Sequence, residues 1–268
     1  MPRVTVLPNG VTASIPRRGR QREVAKRGEV RGWSTQATAR LRRKFYGIDG
    51  EALDGRGHAF TLTVRDLPPS ASDWSGTRER FLDRMRYEGM VRGQWLTEWQ
   101  RRGVPHLHGC VYFPDDVEDG SEVVRRHWLS SAGVWRPGHS AQHVAPLWGL
   151  SGWLQYQAKH SARGVSHYQR ANVPEAWKDG TGRLWGFVGQ WPQREEAHDV
   201  DLMTFWRFRR LLRGWMLGQA RASGDDRRAA WVRGMLRDPD ERRARVRGMG
   251  EFCPEDVARR LLEAAEVR

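Results

Sequence analysis

The stretch that decides the fold runs over residues 94–113 and reads QWLTEWQRRGVPHLHGCVYF. Two runs that favour strands flank a central Arg-Arg-Gly triplet, where a tight turn is predicted. Gly103 can take the positive φ that such a turn requires. We therefore predict strands over Gln94–Gln100 and Val104–Phe113, paired as an antiparallel hairpin.

The hairpin is flanked by a strand and a helix on each side. Predicted in chain order are a strand over Ala59–Val64, a helix over Thr77–Glu88, the two hairpin strands, a helix from the N-cap Ser121 to Leu129, a strand over His143–Ala145 and a helix over Leu150–Ala162. This β-α-β-β-α-β order is the ferredoxin-like or split βαβ pattern, so the predicted fold class is α+β with an antiparallel sheet. A further strand over Leu184–Val188 and C-terminal helices over Leu202–Trp215 and Pro254–Val267 follow.

Positive charge is concentrated at the N-terminal end. The chain has 268 residues, a formal net charge of +14 and a pI near 10.9, which indicates a polyanionic partner, in the first place nucleic acid. Residues 1–44 contain 12 basic and two acidic side chains and so hold +10 of this charge. We predict a flexible basic arm over 1–44, helical near Ala37–Phe45, a folded domain over 45–192 and a helical C-terminal region over 193–268.

Composition argues against secreted and membrane proteins. The two cysteines, Cys110 and Cys253, are too few for a disulfide framework, so we expect a reducing, intracellular environment. No apolar run reaches the ~18 residues of a membrane span, and the N-terminal residues lack a signal-peptide core. We therefore expect neither membrane insertion nor secretion.

A metal site is predicted on the hairpin. Strand alternation places His106 and His108 on one face, and adjacent imidazoles are common ligands of divalent ions. A hairpin that turns about Arg102 sets Glu98 opposite His106, whereas a bulge at Gly103 would make Gln100 the competing oxygen donor. One carboxylate and two imidazoles suit a catalytic Mg²⁺ or Mn²⁺. The alternative is a solvated cross-strand pair with incidental histidines.

Tyr156 and Lys159 form a second candidate pair. Their spacing of three residues puts the phenol and the ammonium on one face of the predicted helix. A tyrosine needs a neighbouring cation or base to act as a nucleophile, and Lys159 can supply that charge. The alternative is a buried tyrosine beside a surface lysine.

Three segments together carry a resemblance to a known family. They read FTLT at 60–63, EWQRRGVPHLH at 98–108 and YQAK at 156–159, with GRLWG following at 182–186. In order and spacing they resemble the motifs of HUH-family rolling-circle replication initiators, the Rep endonucleases. The similarity is to the single-tyrosine branch of bacterial plasmids, phages and small single-stranded DNA viruses, and it covers residues 59–190.

The resemblance implies a fold, a reaction and a set of site residues. It implies a ferredoxin-like nuclease domain, with His106 and His108 as metal ligands and Glu98 as the third ligand. Tyr156 would attack a DNA phosphodiester, assisted by Lys159, leaving the 5′ phosphate on the enzyme and a 3′-OH for a polymerase. It implies single-stranded origin DNA as substrate, the cytoplasm of a bacterial host as location, and rolling-circle replication as the role.

Other functions fit parts of the same pattern. An HUH transposase or conjugative relaxase would use the same chemistry for another purpose, and an RRM-like nucleic-acid-binding protein would use the sheet and the basic arm without catalysis. The sequence contains no G-x-x-x-x-G-K-[ST] phosphate loop, so we expect recruitment of a host helicase. The sequence predicts no oligomeric state.

Overall fold

A computed structural model describes residues 1–16, 28–147, 164–235 and 248–267. Over these residues the fold is α+β, with two antiparallel sheets and seven α-helices. The chain divides into two compact units. One comprises Met1–Val24, Arg42–Asp49 and Gln193–Arg268, and the other comprises Ala25–Leu41 and Gly50–Pro192. No helix among the described residues is both long enough and apolar enough to cross a lipid bilayer.

The strands and helices are numbered in chain order. The strands are β1 (Arg3–Leu7), β2 (Gly10–Ser14), β3 (Arg56–Thr63), β4 (Arg92–Trp99), β5 (Pro105–Phe113), β6 (His143–Pro146), β7 (Trp185–Gly189), β8 (Glu196–Asp199) and β9 (Met249–Phe252). The helices are α1 (Thr35–Tyr46), α2 (Ala71–Tyr87), α3 (Gly120–Ser131), α4 (Tyr168–Ala171), α5 (Leu202–Ala222), α6 (Asp226–Gly234) and α7 (Glu255–Glu266).

The five-stranded sheet is built around the hairpin of β4 and β5. Its strand order is β6-β3-β5-β4-β7, and every neighbouring pair is antiparallel. At the turn, Gly103 has φ of 78°, and the backbone N–H of Gln100 donates to the carbonyl of Val104 at 2.9 Å. Glu98 pairs with His106, so the predicted register is confirmed and the alternative with a bulge is wrong.

Helices α2 and α3 cover one face of this sheet with aromatic side chains. Phe81 of α2 contacts both Phe60 of β3 and Trp128 of α3 edge-on, with ring centroids 5.9 and 5.6 Å apart. The indole of Trp74 contacts Trp128 and donates to the Thr97 hydroxyl of β4 at 3.0 Å. Such edge-to-face pairs stabilise a core beyond their buried area. The histidines of β5 point to the opposite face, because side chains alternate along a strand.

Two helix starts differ from the predictions. Helix α2 begins at Ala71 rather than Thr77, because Ser70 and Asp73 form a reciprocal capping box. The N-cap of α3 is Asp119 rather than Ser121, and its carboxylate accepts from the backbone N–H of Glu122.

The N-terminal residues correct the predicted arm. Val4 and Val6 of β1 and Val11 and Ala13 of β2 are buried, and the two strands form the centre of a four-stranded sheet. Its order is β8-β1-β2-β9, so strands from the C-terminal region lie at both edges. The expectation of a flexible arm is therefore wrong for residues 3–14. Apolar and polar residues alternate in these strands, which is typical of a half-buried strand. The basic residues that follow in the sequence favoured the prediction of a solvated segment instead.

The C-terminal residues are not wholly helical, because β8 and β9 interrupt them. The helix over Leu202–Trp215 is confirmed as part of α5, and the helix over Pro254–Val267 is confirmed as α7, which has Pro254 and Val267 as its caps. Both helices bury apolar residues in a single core with the valines of the four-stranded sheet; these residues are Phe205, Phe208, Leu212, Ala258 and Leu262. The helix near Ala37–Phe45 is confirmed as α1.

Candidate metal centre

Three side chains with metal-binding atoms converge on the hairpin. Glu98 of β4 and His106 and His108 of β5 each offer one ligand atom, and these atoms all lie within 4.8 Å of one another. All three side chains are buried; Glu98 is 0%, His106 7% and His108 4% exposed. The cluster exists because antiparallel pairing sets Glu98 beside His106, while alternation keeps His108 on the same face.

The two imidazoles present their Nε2 atoms to the same point. These atoms are 3.0 Å apart, and the ring planes are inclined at 74°. Two nitrogens that each lie ~2.1 Å from one ion, at a right angle, would be separated by about 3.0 Å. The donor set therefore fits a single divalent cation.

A hydrogen bond from β3 orients His108. The Thr61 hydroxyl lies 2.9 Å from Nδ1 of His108, because Thr61 is paired with His108 across the sheet. In the tautomer in which Nδ1 donates to this hydroxyl, the lone pair of the neutral ring is on Nε2, where a metal ligand needs it. A partner of this kind fixes both the tautomer and the rotation of a ligating histidine.

The two carboxylate oxygens of Glu98 face different partners. Oε2 lies 3.7 Å from Nε2 of His108, and Oε1 lies 3.4 Å from Nε of Arg170. The side chains of Glu98 and Arg170 are both fully buried. Sequence reasoning missed Arg170, since it lies in the short helix α4 and belongs to none of the motifs that carried the resemblance.

Comparison with known proteins connects this chain to DNA replication. A protein from Xylella fastidiosa (strain 9a5c), named as a replication protein, is 41% identical over 267 residues, which is 96% of this chain and 94% of the relative. The replication-associated protein G2P of Pseudomonas phage Pf3 is 41% identical over 243 residues, 89% of this chain and 87% of the relative. This chain belongs to their family of replication proteins.

These relatives confirm the expectation of a replication protein, while the assignment to the HUH endonucleases stays a prediction. No family model matches the sequence, and no solved structure matches it. The assignment of a reaction to this replication protein therefore depends on its own residues alone.

Gln100 lies beyond the cluster in this replication protein. Its Oε1 accepts a hydrogen bond from Nε of Arg102 at 3.1 Å, at the turn of the hairpin. The carboxylate of Glu98, rather than the amide of Gln100, therefore stands beside the histidines.

The predicted nucleophile lies outside the described residues. Tyr156, Lys159 and the helix predicted over Leu150–Ala162 all fall within 148–163, which the structure does not describe. Their roles in the replication protein stay predictions. The next tyrosine, Tyr168, is described. Its ring centroid lies 4.7 Å from that of His167, with the two ring planes tilted by 34°, and the residue is 43% exposed.

Cys110 shares the strand phase of His106 and His108 without joining them. It is fully buried opposite Gln94, and burial raises the pKa of its thiol well above the ordinary value. A thiol in this state is a small apolar side chain rather than a thiolate ligand.

Proposed function

We propose that this replication protein nicks and rejoins single-stranded DNA at a replication origin, using Tyr156 as nucleophile and a divalent cation held by Glu98, His106 and His108. The observation that carries the proposal is the convergence of three buried ligand atoms on one hairpin, in a member of a replication-protein family. The physiological ion proposed is Mg²⁺ or Mn²⁺, because a site with one carboxylate and two imidazoles leaves coordination positions for a phosphate.

The architecture supports an HUH-type nuclease domain with a ferredoxin-like core. The elements β3, α2, β4, β5, α3 and β6 follow the β-α-β-β-α-β order, and their strands form one antiparallel sheet. Helices α2 and α3 cover one face, and the candidate ligands lie on the other, where α4 contributes Arg170. A DNA strand would be cleaved on the face with the ligands.

The proposed reaction transfers a phosphoryl group from DNA to tyrosine. The Tyr156 hydroxyl loses its proton and its oxygen attacks the phosphorus. The bond from phosphorus to the 3′ oxygen breaks, and that oxygen takes up a proton, so that the step has no net change in protons. The products are a 5′-phosphotyrosine and a free 3′-OH, and the reverse reaction rejoins the strand. A bound divalent cation would polarise a phosphoryl oxygen and offset the charge that develops there.

The chain supplies orientation and charge for this step. Thr61 holds His108 with Nε2 directed into the site, and Glu98 contributes one buried negative charge. Lys159, three residues after Tyr156 in the sequence, would stabilise the phenolate and the phosphate that is transferred.

The test is formation of a covalent adduct with DNA. Labelled single-stranded oligonucleotides tiling the replicon that encodes the protein are incubated with the protein and Mn²⁺, and adducts are resolved on denaturing gels. We expect an adduct on a small set of overlapping oligonucleotides, its loss in Tyr156→Phe and upon chelation of Mn²⁺, and its persistence in the matched control Tyr168→Phe.

The same assay separates the alternatives. Binding without an adduct on any oligonucleotide would support an RRM-like binding protein and reject the nickase. An adduct confined to transposon ends or a transfer origin would support a transposase or relaxase, whereas the names of the relatives favour replication. As a nickase at a phage or plasmid origin, the protein would act in the bacterial cytoplasm with a host helicase and polymerase.

A further inference from the structure

Arg170 is a buried cation placed directly behind the candidate metal ligand Glu98. Its guanidinium Nε lies 3.4 Å from Oε1 of Glu98, and neither side chain is exposed to solvent. A buried arginine is costly unless its charge and its hydrogen-bonding groups are matched, so this position indicates a specific task.

Besides Glu98, two groups among the described residues hold the guanidinium in place. Nη1 donates to the Thr38 hydroxyl at 3.0 Å, and the guanidinium carbon lies 4.4 Å from the centre of the Trp33 ring. The Trp33 indole in turn donates to the carbonyl of Thr97 at 3.0 Å, one residue before Glu98 on β4. Arginine, carboxylate and tryptophan therefore form one buried assembly anchored to the strand that carries the ligand.

This assembly gives the two oxygens of Glu98 separate roles. Arg170 engages Oε1, while Oε2 faces His108 at 3.7 Å. A planar guanidinium restrains a carboxylate in rotation as well as in position. Its positive charge also balances that of Glu98, so that a bound divalent cation would retain its full charge toward a DNA phosphate.

We propose that Arg170 is a positioning residue that restricts Glu98 to binding the cation through Oε2 alone. The inference rests on the proposed metal site and deepens it by assigning the group that orients its carboxylate. Trp33 and Thr38 contribute to the same positioning, because they fix the guanidinium that acts on Glu98.

The competing explanation is a purely structural ion pair. Arg78 offers a matched control, because it is a second buried guanidinium stacked on a tryptophan, 3.8 Å from the centre of the Trp95 ring. Its hydrogen bonds go to Ser75, Glu79 and the carbonyl of Arg183. Replacing either arginine by lysine keeps the charge and removes the planar fork.

The experiment measures metal binding without DNA. The full-length protein and the variants R170K and R78K are freed of metal by chelation, and Mn²⁺ affinity is then measured by calorimetry and electron paramagnetic resonance. Thermal melting of each apoprotein reports stability separately. We expect R170K to bind Mn²⁺ about 10- to 100-fold more weakly and R78K to remain within about twofold of the unmodified protein, even where the two melt at similar temperatures.

Two further variants keep the inference testable if R170K does not fold. Thr38→Val removes one anchor of the guanidinium while leaving the ion pair, and should weaken Mn²⁺ binding in the same direction. E98Q removes the ligand charge, so adding R170K to E98Q should weaken Mn²⁺ binding little further, since Arg170 acts through Glu98.

The absorption spectrum of bound Co²⁺ adds a signature of coordination. R170K should change the intensity of the visible Co²⁺ bands, because Glu98 is then able to bind through both oxygens, whereas R78K should not. Affinity and spectrum unchanged in R170K, or equal losses in R170K and R78K, would overturn the role of Arg170 alone. Failure of the unmodified protein to bind either metal would overturn the metal site itself.

Discussion

Thr61 shows how a single hydroxyl can determine the behaviour of a histidine. It lies 2.9 Å from Nδ1 of His108 and so directs Nε2 toward His106. Valine has nearly the same shape as threonine and lacks the hydroxyl. The Thr61→Val variant therefore separates orientation of the ring from packing of the sheet.

We expect Thr61→Val to lower Mn²⁺ affinity about 10-fold or more while thermal stability changes little. The matched control is Thr63→Val on the same strand, since the Thr63 hydroxyl bonds to the carbonyl of Ala141 rather than to a histidine. Calorimetric titration with Mn²⁺ is the measurement. Equal affinities in the two variants would show that the Thr61 hydroxyl does not orient His108.

At the scale of elements, the turn residues predict the hairpin, whereas no local signal predicts α4. Glu98 and His106 are eight positions apart and joined by one tight turn, so periodicity and the position of Gly103 are enough to set their register. Arg170 reaches Glu98 across 72 positions of sequence. That contact depends on tertiary packing, which no local pattern encodes. The early start of α2 was predictable in principle, because Ser70 and Asp73 have the capping-box spacing.

A histidine couples β3 to the first turn of α3. Nδ1 of His58 lies 2.9 Å from the hydroxyl of Ser121, and burial lowers the pKa of His58 from its ordinary value of 6.5. The unfolded chain therefore binds a proton at this position more readily than the folded chain. Acidification through this range consequently favours unfolding.

We expect the melting temperature to fall as pH decreases from 7.5 to 5.5, and to fall less steeply in His58→Asn, which lacks the titrating ring. The exposed His139, replaced by asparagine, serves as the control and should leave the slope unchanged. Scanning calorimetry at several pH values measures both slopes. A slope in His58→Asn as steep as in the unmodified protein would assign the acid sensitivity to other groups.

At the scale of the whole molecule, basic residues of the N-terminal region remain candidates for DNA contact. Deleting residues 1–44 would not test them, because the deletion removes β1, β2 and the anchors Trp33 and Thr38 together with the charge. Substituting individual arginines tests their contact with DNA without removing these elements. Arg17, Arg18, Arg20 and Arg22 lie within 17–27, outside the described residues, and can be replaced by glutamine.

We expect this fourfold variant to bind single-stranded DNA with a shallower salt dependence, with the slope of log K against log salt reduced by up to about 3, since each phosphate contributes ~0.7. Covalent adduct formation at saturating DNA should persist. The measurement is fluorescence anisotropy across a series of salt concentrations. An unchanged slope would show that these four arginines do not contact phosphate.

The four-stranded sheet is formed by the two ends of the chain. Its central strands β1 and β2 precede the edge strands β8 and β9, which begin at residues 196 and 249. During synthesis, the ribosome therefore releases a β-hairpin whose outer edges lack partners until residues 196–199 and then 249–252 have been translated. Bare edges of this kind recruit other strands, so a prematurely terminated polypeptide should be prone to aggregate and to be degraded.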